Sequence, residues 1–276
     1  MIPSTARLSR PLGTLLRGAL DAVLPQTCII CGEWIMSGSG MACGSCDEQL
    51  TDTIKPTYCP HCGRTMPRPA IGDRDCARCK RESFWNVAGV ARVGAYTPPI
   101  QKLTLGLKYA GRERNADFAA DLLASAIERR GWLGEFDFLV PVPMHWLRRW
   151  QRPCDHADLL AAALARRLKI PLLRAVKRIK HTPSQVGVTS RAERFRNVER
   201  CFACRRWMNG RLAGARVCIV DNLLATGATV HEVSKVLRRA GARRIHAAVI
   251  ARTVLAGDTQ ASPGVYRLGT SPLNET

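Results

Sequence analysis

The sequence predicts an α/β fold, a parallel sheet with helices on both faces, preceded by a small cysteine-rich module. Three observations predict it. Residues 217–220 and 245–250 are short apolar runs that read as strands buried on both faces, the signature of a parallel sheet covered on both sides. Residues 228–240 between them repeat apolar positions at helical spacing, and Gly241 follows where a helix-ending glycine belongs. Residues 28–79 are dense in Cys, Gly and Pro with little periodicity, a different texture that sets the module apart.

In chain order, residues 1–27 start basic and hold an apolar stretch over 12–24 that Arg17 and Asp21 interrupt. It is too short and too charged to cross a bilayer, and it lacks the clean apolar run and small-residue cleavage site of a secretory signal. Leu12, Leu15, Leu16, Leu20 and Val23 suit a weak amphipathic helix that caps the next module or touches the inner face of a membrane, with packing the expected use. The cysteine module occupies 28–82. Within 84–254 the spacing predicts a helix over 116–130, with Phe118, Leu122, Leu123, Ala126 and Ile127 on one face, and a short strand over 136–143. A second helix is expected over 155–169, with Leu159, Leu160, Ala163, Leu164 and Leu168 aligned, and a strand over 198–205. Residues 255–276 form a polar, flexible tail.

With 46% hydrophobic and 23% charged residues, the 276-residue chain has the balance of a folded protein and room for one α/β domain plus a module. Its 42 Lys and Arg against 22 Asp and Glu leave a net charge of +20. That excess favours polyanionic partners, nucleic acid or phosphorylated metabolites, although an arginine-rich coding bias is a competing source.

Eight of the twelve cysteines form four C-x-x-C pairs: Cys28/Cys31, Cys43/Cys46, Cys59/Cys62 and Cys76/Cys79. A tetrahedral zinc ion takes four thiolates and one C-x-x-C knuckle supplies two, so four knuckles make two closed structural sites. Gly32 and Gly63 directly follow the second cysteine of a pair, where the tight turn disfavours a side chain. Without a secretory signal the compartment is expected to be reducing and cytoplasmic, which favours two structural zinc ions over a disulfide framework. Sequential pairing groups Cys28, Cys31, Cys43 and Cys46 on one ion and Cys59, Cys62, Cys76 and Cys79 on the other; a cross-braced arrangement would exchange the middle pairs. His61 inside a knuckle is read as a surface residue, and Cys154, Cys201, Cys204 and Cys218 as ordinary packing.

The sharpest motif is Val217-Cys-Ile-Val-Asp-Asn-Leu-Leu-Ala-Thr-Gly-Ala-Thr-Val230. An apolar strand carries Asp221 at its end, and Ala225, Thr226, Gly227, Ala228 and Thr229 open a helix. Ligands bind beyond the carboxyl ends of strands in open α/β sheets, and a helix start offers unpaired N–H groups and a positive dipole end. Gly227 admits close backbone approach to a phosphate, Thr226 and Thr229 add hydroxyl donors, and Asp221 sits where it can accept from ribose hydroxyls. The competing reading is a loop whose threonines cap the helix.

This motif resembles the fingerprint of the type I phosphoribosyltransferases, an apolar strand, two acidic residues and a small T-G-x-T loop, which implies a Rossmann-like sheet. Leu107-Lys-Tyr-Ala-Gly111, Val140-Pro-Val-Pro-Met-His145, His181-Thr-Pro-Ser-Gln185 and Arg194-Phe-Arg-Asn-Val198, behind a double zinc ribbon, look like the ComF competence family in order. The resemblance implies that His145, Arg148, Arg149 and Arg152 meet pyrophosphate and that 180–196, with Arg191 and Arg194, closes as a lid; Lys108 is a weaker phosphate contact. It implies 5-phosphoribosyl pyrophosphate (PRPP) with Mg2+ as ligand, catalysis at Asp221 and Asn222 if the site is active, and a part in natural transformation beside single-stranded DNA and DNA-uptake proteins. Two departures stand out: Asn222 occupies the place of the second acid, and Arg152-Pro-Cys-Asp-His156 replaces an Arg-Gly-Phe-Asn-Gln run.

The alternative to a transferase is a single-stranded nucleic-acid binder with a non-catalytic pocket. The basic runs 174–180 and 191–196, with Phe195, Phe202 and Trp207 nearby, favour it, whereas an aromatic content of 6% argues against many stacking platforms.

Overall fold

Strands apolar on both faces need cover on both, and the chain supplies it in alternation. The computed structural model describes residues 26–35, 40–54, 57–66, 76, 79, 86–107, 112–145, 154–180, 182, 191–208 and 210–254. The residues expected to form the N-terminal amphipathic helix, the C-terminal tail, Lys108, Arg148, Arg149, Arg152 and most of the expected lid lie outside them.

The central sheet joins β3 (Val90–Ala95), β4 (Phe138–Pro141), β7 (Arg216–Leu224) and β8 (Arg244–Arg252) in the order β3-β8-β7-β4, all parallel. Side chains alternate between faces. Ala91, Val93, Leu139, Cys218, Val220, Ala248 and Ile250 share one core with α2 (Ile100–Gly106), α3 (Arg112–Arg129) and α4 (His156–Leu168). Val90, Val140, Val217, Ile219, Ala247 and Val249 share the other with α6 (Ala228–Arg239). Each fully buried Leu or Val contributes about 1.5–3 kcal/mol. Helix α4 starts at Asp155, whose side chain accepts from the Asp158 N–H, and α6 gives way to Gly241 at φ +97°. A Cβ on Gly241 would lie 3.1 Å from the Ala213 Cα, so both the turn and the approach require glycine.

Packed against α6 is a smaller two-stranded antiparallel sheet, β5 (Val176–Arg178) with β6 (Phe202–Cys204), linked through α5 (Arg191–Val198). The strand expected over 198–205 is therefore shorter: Val198 closes α5, and Arg200 turns the chain at φ +52° before β6 begins. The described part of the expected lid, α5, packs against α6.

The ribbon module begins with the hairpin β1 (Gln26–Thr27) and β2 (Trp34–Ile35), followed by α1 (Gly44–Ile54), which the cysteine-rich texture concealed. Cys28, Ile30, Cys46 and Leu50 join the core on the α3 side, whereas Cys59, Cys62 and Cys76 join the core on the α6 side. The two ribbons thus straddle the edge strand β3. A Cβ on Gly94 would meet the Thr53 carbonyl at 3.3 Å, and the Val90 N–H donates to the Pro60 carbonyl at 2.9 Å. Among the described residues, no helix is long and apolar enough to cross a membrane.

Candidate functional site

The eight knuckle cysteines gather into two groups, Cys28, Cys31, Cys43, Cys46 and Cys59, Cys62, Cys76, Cys79, each with all sulfurs within 4.8 Å of one another. This is the sequential pairing. The Sγ–Sγ distances of 3.7 Å (Cys31–Cys43), 3.6 Å (Cys59–Cys79) and 3.8 Å (Cys62–Cys76) match the edge of about 3.8 Å in a tetrahedron of 2.3 Å zinc–sulfur bonds. Gly32 and Gly63 take φ of +81° and +72°, as their knuckle turns require. The Cys43 N–H donates to Cys28 Sγ at 3.3 Å, orienting one thiolate. Hydrogen bonds with the Cys62 and Cys79 thiols hold the Cys59 thiol far below its ordinary range, negative charge that a bound dication neutralises. Both groups fit zinc, with all four positions of each taken by protein. His61 is half-buried beside the second group and not needed to complete it.

At the carboxyl end of the sheet, β7 delivers Asp221 and Asn222, and the chain then enters α6 through Ala225, Thr226 and Gly227. Gly227 is the N-cap of α6 at φ +86°, a left-handed conformation that disfavours a side chain. Gly227 has no side chain with which to cap the helix, and Thr226 Oγ1 accepts one long hydrogen bond, 3.5 Å, from the Ala228 N–H. The N–H groups at this helix start face the loop, and that one weak bond leaves the arrangement that receives an anion in place. Thr226 and Thr229 are half-buried beside it.

Asp221 is half-buried, and its Oδ1 accepts from the Asn222 N–H at 2.8 Å. Desolvation pushes its carboxyl up to about 7, with the charge of Asp155 adding to the rise while the Asn222 N–H, the Leu223 N–H and the charge of Arg178 oppose it. Asp155 and Arg178 are thus near enough to act on the charge of Asp221, a relation that sequence reading did not draw. Asp155 is not a replacement for the missing second acid: its Oδ2 accepts from the Met144 N–H at 2.9 Å and its Oδ1 faces the Asp158 N–H at 3.4 Å. It ties the end of β4 to the head of α4, fixing the segment that carries buried His145. The Val142 N–H continues the ladder to the Val220 carbonyl at 3.0 Å, bringing that segment beside the end of β7. The signal for Asp155 was its N-cap position. Arg178 belongs to the basic run 174–180, read from sequence as favouring nucleic acid; its guanidinium stacks 5.4 Å from the Phe202 ring and donates to the Lys180 carbonyl and Thr182 Oγ1.

Arg191 and Arg194 lie on α5, half-buried, with Arg191 stacked 5.4 Å from the Phe195 ring. Phe195 in turn meets His231 at 5.6 Å, in the first turn of α6, which sets α5 alongside the start of that helix. Cys154 Sγ lies 3.6 Å from His156 Nδ1, and Cys201 and Cys218 are buried packing residues.

A four-stranded parallel sheet with an anion-type turn after its acidic strand, preceded by two four-cysteine sites, defines a zinc-ribbon protein with a phosphoribosyltransferase-type domain. The double zinc ribbon domain family matches residues 19–81, and the phosphoribosyl transferase domain family matches residues 156–263. Competence protein F of Haemophilus influenzae is 32% identical over 82% of this chain and 96% of its own length. The DNA utilization protein YhgH of Escherichia coli K12 is 30% identical over 84% of this chain and 99% of its own. The chain belongs to this competence protein F (ComF) family. A purine phosphoribosyltransferase from Pyrococcus horikoshii overlays with a TM-score of 0.33 at 21% identity, covering 58% of this chain and 92% of that one. The fold assignment rests instead on the strand order and the domain match.

Proposed function

We propose that the turn from Asp221 to Thr229 binds the 5-phosphate and ribose of a phosphoribosyl compound, PRPP with Mg2+, and that the chain serves DNA uptake in natural transformation. The glycine-led start of α6 at Gly227, which follows a strand carrying a desolvated carboxyl at Asp221 near its end, carries this reading. Ala225, Thr226, Gly227, Ala228 and Thr229 would hold the 5-phosphate, and Asp221 with Asn222 would accept from the ribose hydroxyls. The segment ending at His145, with Arg148, Arg149 and Arg152 beyond it, would face pyrophosphate; Arg178, Arg191 and Arg194 would close the site from the side. The desolvated Asp221 carboxyl suits a divalent cation brought by the ligand, and Mg2+ bound with the ligand would neutralise the pyrophosphate as it departs. Asn222 lacks the charge that steadies positive charge at the anomeric carbon, so binding is expected to exceed any pentosyl-transferase turnover. The working place is the cytoplasm, at the inner face of the membrane that DNA crosses.

A second reading is favoured by one observation: Trp207 stands 68% exposed in a 3-10 turn beside Arg205 and Arg206, a stacking platform with cationic neighbours on a chain of net charge +20. Single-stranded DNA would then be a ligand in its own right. Calorimetry with PRPP, with and without Mg2+ and with short single-stranded DNA as competitor, tests both. Saturable, Mg2+-dependent binding is expected; absence of any PRPP binding would overturn the pocket, and competition by DNA with a steep salt dependence would support the second reading.

A further inference from the structure

The last residue of β8, Arg252, is 1% exposed, yet it carries a full charge. Strand β8 lies between β3 and β7, and the Arg252 backbone pairs with Ala95 on one side and Leu224 on the other, at the ligand end of the sheet. Its guanidinium reaches in two directions. Nη1 donates to the Leu224 carbonyl at 2.8 Å and to the Ala225 carbonyl, the two peptide groups that lead into the anion turn. Nε donates at 3.2 Å to the carbonyl of Cys62, a ligand of the second zinc site. One rigid, planar group therefore sets the position of the turn relative to the knuckle.

The knuckle has no slack on this side. A Cβ on Gly63 would come within 3.0 Å of Val90 Cγ1 and 3.9 Å of Arg252 Cδ. Arg92 clamps the same ribbon, donating to Thr65 Oγ1 at 2.9 Å and stacking 4.8 Å from the Tyr58 ring. A buried guanidinium that loses a carbonyl partner is left under-solvated and must shift to find another, so displacing Cys62 displaces the group that also holds Leu224 and Ala225. The first ribbon is placed differently. Its cysteines pack in the core on the other face of the sheet, and its knuckle bonds run within the ribbon, from Cys28 N–H to Glu33, Ile29 N–H to Met41 and Cys43 N–H to Cys28.

We infer that Arg252 couples the metal at Cys59, Cys62, Cys76 and Cys79 to the anion turn, so that phosphate affinity depends on the second zinc and not on the first. This rests on the reading that the turn binds a phosphoribosyl phosphate. Arg252 acts through backbone carbonyls and is a positioning residue. Linkage makes the coupling reciprocal: a ligand in the turn must hold the second zinc more tightly by the same factor that this zinc tightens the ligand.

The test is zinc release from the full chain to a chromogenic chelator, with and without saturating PRPP, and again with inorganic phosphate. Cys31→Ser, which disables the first site, identifies the second site's release phase. PRPP is expected to slow that phase by about fivefold or more and to leave the first-site phase unchanged. In Arg252→Lys, whose single ammonium cannot span both sets of carbonyls, the protection is expected to vanish while two zinc ions per chain remain. PRPP that binds by calorimetry yet protects neither site, or both equally, overturns the coupling alone. Failure of PRPP and phosphate to bind at all overturns the pocket reading and the coupling with it. If Arg252→Lys does not fold, the comparison of the two phases in the unmodified chain decides.

Discussion

The two ends of the central sheet treat charge in opposite ways. At the amino ends of the strands, Asp137 receives the Arg216 side chain at 2.9 Å and its N–H at 2.7 Å, with Glu135 between Arg216 and Arg244 at 3.9 and 3.7 Å. These groups are partly exposed, and the Arg216 hydrogen bonds hold the Asp137 carboxyl below its ordinary range. At the carboxyl ends, Asp221 is held above its ordinary range by burial, and Arg252 is enclosed with backbone carbonyls as partners. One end sets its charges in pairs; the other holds a carboxyl, Asp221, that burial keeps from ionising at its ordinary pH. Perturbed groups of the second kind concentrate where ligands bind, and here they coincide with the strand ends that open α/β sheets use.

The sharpest way to break this contrast is at the zinc knuckle beneath the carboxyl end. Cys62→Ser should reduce the metal content from two ions to one and lower stability by about 4 kcal/mol or more, read by metal analysis and thermal unfolding. A variant retaining two ions and the original melting curve would remove Cys62 from the ligand set. Next, Asp221→Ala should weaken Mg2+-dependent PRPP binding about tenfold, or about 1.4 kcal/mol, while Asn222→Asp should tighten it; unchanged calorimetric affinity in both would exclude them from the sugar site.

The protonation of Asp221 gives a smaller, directional effect. Its folded-state value, about 7, lies above the unfolded value of 3.8, so the folded chain binds the proton more tightly. The contribution to stability is therefore greatest at low pH and is lost as pH rises from the unfolded value through about 7. Asp221→Asn should accordingly raise the melting temperature at pH 8 and lose that advantage toward pH 4, and Mg2+-dependent affinity of the unmodified chain should climb as pH passes 7. The smallest effect is expected at the opposite end. Asp137→Asn should leave PRPP affinity unchanged and cause a modest drop in melting temperature at neutral pH. Because the Asp137 value is depressed, that drop should disappear as pH falls through the folded-state value. A large change in affinity would mean that the two ends are not independent.

The sheet was legible in the sequence because its last two strands are apolar on both faces and the helix between them is periodic. The zinc ligands were legible because C-x-x-C spacing is local. What escaped depends on distance along the chain. Helix α1 starts within a knuckle, where the cysteines mask its pattern, and Val198 reads as strand because its apolar neighbours Phe202 and Ala203 are. Asp221 and Gly227 could be assigned from one motif, but Asp155, Arg178 and Arg252 meet the site only after the strands align. Arg252 follows an apolar run and looks like the residue that ends a strand; its partners at Cys62 and Ala225 lie 190 and 27 positions away.

That span of 190 residues also bears on biogenesis. A ribosome delivers the second ribbon long before it delivers β8, so the knuckle is made with its Arg252 partner still missing. Contacts that close such long loops form late and slowly. The second ribbon cannot gain its Arg252 contact until the last strand of the described sheet has been placed between β3 and β7.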